Sequence, residues 1–174
     1  MGPGSGTVAS MKRIAPLALA VLLIAARGSF AQAAAVQQVP GPAIALPDDP
    51  ATLLGLSPAE AIARFGPPSA VFAIRGDEAW QDDVVFDYGS GFSLFLFMDR
   101  VWQVRIAEPY ALPVLGFTVG STTERAASSL GSPSLALEGS YEWVLPGEAW
   151  PVRLRGLVDS GGSIRELYVY RADF

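Results

Sequence analysis

Apolar and polar positions along the chain fall into two kinds of pattern. Two fourteen-residue segments carry helical spacing, and most of the chain after each of them carries strand alternation. In the first segment, residues 55–68, Ala61, Ile62 and Phe65 stand at i, i+1 and i+4. In the second, residues 120–133, Ala126, Ala127 and Leu130 repeat that stripe. Each stripe predicts a short helix packed on one side. Ser57 and Thr122 stand where an N-cap is needed, and Glu60 lies three residues after Ser57, as a capping box requires. Arg125 breaks that box in the second segment. Pro58 suits the first helical position. Gly66 and Gly131 suit the residue past the helix end, with Pro67 and Pro133 preventing continuation.

After each helix the period changes to two. Residues 84–88, 92–98 and 101–106 come after the first helix, separated by Gly89-Ser90-Gly91 and by Asp99-Arg100. Residues 141–145, 152–158 and 164–171 come after the second, separated by Pro146-Gly147 and by residues 159–162. Aromatic and β-branched runs between Gly, Pro and Asp clusters predict antiparallel hairpins. Residues 71–74 add a further strand before the first meander. The resulting expectation is an α+β fold. Two tandem helix-plus-antiparallel-meander repeats, offset by 65 residues, form a shared sheet with the helices on one face. The repeats span residues 51–109 and 110–174.

The stretch before them reads differently. Lys12 and Arg13 precede an apolar run over residues 14–26, and Ser29, Ala31 and Ala33 offer small residues for cleavage. This is the pattern of a secretory signal peptide, residues 1–33, with residues 1–10 as an over-long N-terminal extension. The thirteen apolar residues are too short a run to span a bilayer comfortably. Residues 34–50, with Pro40, Pro42, Pro47 and Pro50, read as an extended linker. No Cys comes after the apolar run, so a lipid anchor is not expected. Export to the periplasm or the exterior is.

Composition then removes whole classes of chemistry. The chain has no Cys and no His. Disulfides, thiolate or imidazole metal sites and Ser-His-Asp catalysis are excluded. Cleavage after residue 33 takes three of the twelve basic residues and none of the seventeen acids. Nine arginines then face seventeen carboxylates, a net charge of −8, and no Lys remains. Schiff-base chemistry and a Walker A loop are thereby absent. Such a domain is a poor binder of phosphate, so nucleic acid is not an expected partner.

Three clusters bear on chemistry. Asp77, Glu78, Asp82, Asp83 and Asp87 are dense in carboxylate but lack the spacing of a calcium loop, so a solvated loop is expected and no metal or cofactor. Residues 159–163, Asp-Ser-Gly-Gly-Ser, read as a hairpin turn rather than an anion cradle, since no helix comes after them. The aromatics Trp80, Trp102, Tyr141, Trp143, Trp150, Tyr168 and Tyr170 lie in or beside predicted strands. Trp102 and Trp143 are expected in the core. Alternation sets Ile164, Glu166, Tyr168 and Tyr170 on one face of the last strand, opposite Leu167 and Val169. In the preceding strand Val152, Leu154 and Val158 face the core, and Arg153 and Arg155 face out. Arg153, Arg155, Tyr168 and Tyr170 therefore make the candidate partner-binding face, because Tyr and Arg are enriched at interface hot spots.

The two glycine-bounded segments resemble the Gly-Met-Ser/Thr-x-x-x-Val-x-x-x-Leu-Gly-x-Pro pattern of the SmpA/OmlA (BamE-like) proteins. They are also similar to the related repeats of β-lactamase inhibitory protein. Leu56 and Ser121 stand where Met is usual, and this chain has neither the lipid anchor of the first group nor the disulfides of the second. The resemblance implies a helix-plus-sheet unit with an open sheet face, acting by binding other proteins. An exported, non-enzymatic protein-binding module is the leading expectation. Its partner would be an envelope or secreted protein, either assembly machinery or an inhibited enzyme. The alternative is a periplasmic small-ligand or lipid carrier, with the apolar run over residues 92–98 lining a pocket. Charge reversal at Arg153 and Arg155 is expected to weaken partner binding while the domain stays folded. Oligomeric state is left open by the sequence.

Overall fold

Largely hairpin by hairpin, the chain builds one open antiparallel sheet. The computed structural model describes residues 44–77, 82–147 and 149–173. The strands are β1 (Ala70–Ile74), β2 (Asp83–Asp87), β3 (Phe92–Phe97), β4 (Arg100–Ala107), β5 (Leu135–Leu137), β6 (Ser140–Leu145), β7 (Val152–Val158) and β8 (Ile164–Arg171). Their order across the sheet is β1-β2-β3-β4-β8-β7-β6-β5, with every neighbouring pair antiparallel. Among the described residues the two α-helices, α1 (Pro58–Phe65) and α2 (Thr123–Leu130), have eight residues each.

This overturns the α+β expectation of two tandem helix-plus-meander repeats. The fold is dominated by one open eight-stranded sheet. The physical reason lies in how the core is shared between sheet and helices. β4 and β8 pair directly over five residue pairs, from Gln103 opposite Tyr170 to Ala107 opposite Glu166. The ladder therefore runs unbroken, and one core forms beneath it. The helices contribute little to that core. α1 buries Ala61 and Phe65, while Ile62, expected in the stripe, is 41% exposed. α2 buries only Ala126.

Locally the helices form as their sequences dictate. Ser57 Oγ accepts from the Glu60 backbone N–H at 3.3 Å, and Glu60 accepts from the Ser57 N–H at 2.7 Å, completing the capping box. Thr122 caps α2 through the Arg125 N–H at 3.4 Å. Gly66 and Gly131 end the two helices at φ of 79° and 85°, a region that favours glycine.

The core occupies one face of the sheet. Phe92, Leu94, Val104, Ile106, Trp143, Leu154, Leu167 and Val169 are all buried there. Phe92 stacks on Tyr88 at 4.7 Å between ring centres and meets Phe65 edge-on at 5.4 Å. Trp143 takes its expected core position, and its indole N–H donates to the Gly131 carbonyl at 3.0 Å. The packed chain also begins earlier than residue 51. Leu46 is buried, and its N–H donates to the Tyr110 hydroxyl at 2.8 Å. Asp49 caps a single 3-10 turn, Pro50–Leu53, which buries Leu53. The last residues of the stretch read as a linker are thus part of the fold. Residues 1–43, on which the expected signal sequence and the rest of the expected linker fall, lie outside the described residues.

Candidate functional site

The opposite face of the sheet carries a patterned row of charge and aromatic hydroxyl. Register decides its composition. Across β4, β8, β7 and β6, one row is Arg105, Tyr168, Arg155 and Glu142. The adjacent row is Gln103, Tyr170, Arg153 and Val144. Because side chains alternate along each strand, both rows project away from the core that Leu154, Leu167 and Val169 fill from the same strands. The four candidate residues, Arg153, Arg155, Tyr168 and Tyr170, are brought together on this face as two cross-strand pairs.

Glu142 organises the outer part. It is only 4% exposed, unusual for a glutamate in a strand. Its Oε2 accepts from the Tyr170 hydroxyl at 2.6 Å and from Arg155 Nη2 at 3.1 Å, and its Oε1 pairs with Arg153. Arg155 also donates to the Tyr170 oxygen at 3.3 Å and lies 5.6 Å from the centre of that ring. Burial pushes the Glu142 carboxyl up, but the Tyr170 hydroxyl and the two guanidinium groups outweigh it and hold it below the ordinary glutamate value. The same carboxylate holds Arg153 more firmly protonated. Burial raises Tyr170, and its bond to Glu142 adds to the rise.

Glu166 organises the inner part in the same way. It accepts from Arg105 Nε at 2.8 Å and from the Tyr168 hydroxyl at 2.5 Å. Arg105 Nε also approaches the Tyr168 oxygen at 3.3 Å. The Arg105 bond lowers the Glu166 carboxyl against the opposing effect of burial, while burial is the main cause that raises Tyr168. Each tyrosine thus donates to a carboxylate that an arginine already neutralises. These bonds restrict the rotamers of the long side chains in the folded chain.

Between these residues and β4 lies an open groove of about 340 Å³, lined by Trp102, Gln103, Arg155, Leu157, Tyr168 and Tyr170. Trp102 was expected in the core and is instead half-buried at this groove. The cause is a register shift. Phe95 pairs with Gln103, but the next residue of β3, Leu96, pairs with Val101. Trp102 is the extra residue on β4, released from the alternation that would have turned it inward. Its indole N–H donates to Asp83 Oδ1 at 2.8 Å, and burial raises the Asp83 carboxyl. A second shift corrects Ile164. Leu157 pairs with Glu166 and Val158 with Ile164, so Arg165 is the extra residue on β8 and Ile164 is turned into the core. Arg165 instead binds Asp159 and Glu108.

The other sequence candidates resolve individually. Asp82 pairs with Arg75, Asp83 takes Trp102, and Asp87 accepts from the Gly89 N–H at 2.9 Å. Among the described residues no group of three or more carboxylates is placed to hold a metal ion. Glu78 and Trp80 lie outside the described residues. The 159–163 loop is a turn filled by its own acid, since Asp159 Oδ1 accepts from the Gly161 and Ser163 N–H groups. In the 92–98 run, Phe92, Leu94 and Leu96 are core, whereas Phe95 and Phe97 are half-buried and Met98 is exposed. Glu142, Glu166 and Arg105 were not singled out from sequence as site residues. The signal present in the sequence was a Glu within a strand pattern, where carboxylates are ordinarily depleted.

No family pattern and no curated protein matches the chain. Two solved structures are similar at low identity. One is an extracellular protein containing an SCP domain from Bacillus anthracis, 12% identical, with a TM-score of 0.48 over 79% of this chain and 49% of that one. The chain thus spans about half the length of that protein. The other is a DUF4309 family protein from Bacillus subtilis, 16% identical, with a TM-score of 0.42 over 66% of this chain and 78% of that one. Neither is a SmpA/OmlA protein or a β-lactamase inhibitory protein.

Proposed function

We propose that this chain is an exported, non-enzymatic protein-binding module, and that its open sheet face is the working surface. The observation that carries the reading is the Glu142 cluster. A nearly inaccessible carboxylate bonds Arg153, Arg155 and Tyr170, yet leaves both arginine side chains close to half exposed. Bonded arginine and tyrosine around a shallow apolar groove is the composition and preorganisation of an interface centre. Trp102 and Leu157 supply the apolar floor. The partner is an envelope or secreted protein, consistent with the basic-then-apolar leader in residues 12–26. No helix of the described residues is long and apolar enough to cross a membrane.

The test has to spare Glu142. Reversing Arg153 and Arg155 would surround a buried carboxylate with like charge, so lost binding and lost folding would coincide. Val144, 63% exposed in the row beside Arg153, and the half-buried Leu157 make better probes. Capture from extract of the exporting cell should recover a stoichiometric protein with the wild type and lose it with V144D/L157K, whose Lys falls opposite Glu166 rather than repelling it. The variant's melting temperature should stay within a few degrees. Equal capture by both proteins would refute the face assignment.

A further inference from the structure

The two edge strands of the sheet differ in length. β5 is three residues long, with Pro133 just before it and Glu138 just after. Short length, Pro and charge are ways of protecting an edge. β1 shares those flanks, with Pro67 and Pro68 before it and Arg75 directly after, but not the short length. Its five residues, Ala-Val-Phe-Ala-Ile, carry no charge, Pro or register shift against β2. All five residues are exposed, with Val71 at 57%, Phe72 at 47% and Ile74 at 43%. An outer strand presents a row of backbone N–H and C=O groups that only another extended strand can fully pair.

We infer that β1 pairs antiparallel with β1 of a second copy about a two-fold axis at Phe72, joining the two sheets edge to edge. The sequence of the strand argues for this occupant. Centred on Phe72, the pairing sets Phe72 against Phe72, Val71 against Ala73, and Ala70 against Ile74. Every branched residue meets an alanine, and the aromatic meets an aromatic, a favourable cross-strand pair. Arg75 falls opposite Ser69, so no like charges meet. The interface is isologous and closes at two copies. It uses backbone groups of the edge and leaves the Glu142 face free, so it stands independently of the proposed function.

An interface of this size is weak, and sedimentation velocity of the purified protein should show a reversible dimer between about 1 and 100 μM. V71K/A73K sets like charges opposite each other twice and should weaken the dimer about tenfold or more. V71K/A73E sets opposite charges there and should restore it, which also shows that substitution at these positions is compatible with folding. The chain has no Cys, so single introduced cysteines report register directly. F72C should oxidise readily to a covalent dimer, and V71C alone should not. A monomer throughout that range, or a dimer indifferent to V71K/A73K with no preference for F72C, would overturn the inference.

Discussion

Replacing Glu142 by Gln removes one charge from the middle of the open face and keeps its volume. The carboxylate accepts from Tyr170, Arg153 and Arg155. A hydrogen bond to a charged group contributes about 1.5–3 kcal/mol. Three such bonds do not add here. The side chains of Arg153 and Arg155 are 42% and 47% exposed, and water replaces most of what they lose. The net cost of E142Q is therefore nearer one such bond, about 2 kcal/mol. At about 4 °C per kcal/mol for a domain of this size, the melting temperature falls by about 8 °C. Charge, rather than shape, is the cause, and pH separates the two. The Glu142 carboxyl is held below its ordinary value. Its contribution is therefore fully present above the unfolded value of about 4.3 and is lost as pH falls through the lower folded value. Urea unfolding of wild type and E142Q at pH 7 and pH 3 should show the gap narrowing at pH 3. An unchanged gap, or a loss below about 0.5 kcal/mol at pH 7, would refute the assignment.

Three further substitutions probe the scaffold. S57A removes the capping box of α1 and should cost about 1 kcal/mol by urea unfolding. Y110F deprives the buried Leu46 N–H of its acceptor and should cost about 1–3 kcal/mol, with faster hydrogen exchange at the Leu46 amide. Gly91 sits at φ 89°, and a Cβ there would lie 2.4 Å from both the Ala107 carbonyl oxygen and the Tyr110 nitrogen. G91A should therefore cost about 4 kcal/mol or more, read as loss of folded protein in a thermal melt.

Much of the local structure was legible in the chain. Alternation in β7 and β8 placed Arg153, Arg155, Tyr168 and Tyr170 on one face, because a period of two leaves little freedom once Leu154, Leu167 and Val169 are buried. The helix ends were legible because Ser57, Thr122, Gly66 and Gly131 act on their own neighbours. The exceptions share a cause. Trp102 and Ile164 each lie at a register shift, where one extra residue breaks the alternation, and nothing in either strand's own sequence marks it. β5 is too short for a pattern to be recognised, and it forms only because β6 provides a ladder for it. The fold class failed on the weight given to the helices. Two helical segments suggested two helix-plus-meander units, but α1 buries only Ala61 and Phe65 and α2 only Ala126, so the eight-stranded sheet dominates. Glu142 was missed because its meaning depends on β7 and β8 bringing Arg153, Arg155 and Tyr170 beside it.

The central claim is that the face built around Glu142 receives a protein partner. Hydrogen exchange of the chain with and without its captured partner tests this most directly, since it locates contact without mutating the face. New protection should concentrate at Trp102, Gln103 and Arg105 of β4 and along β7 and β8, with α1 and α2 unchanged. Protection confined to the helices, with β7 and β8 unaffected, would contradict it.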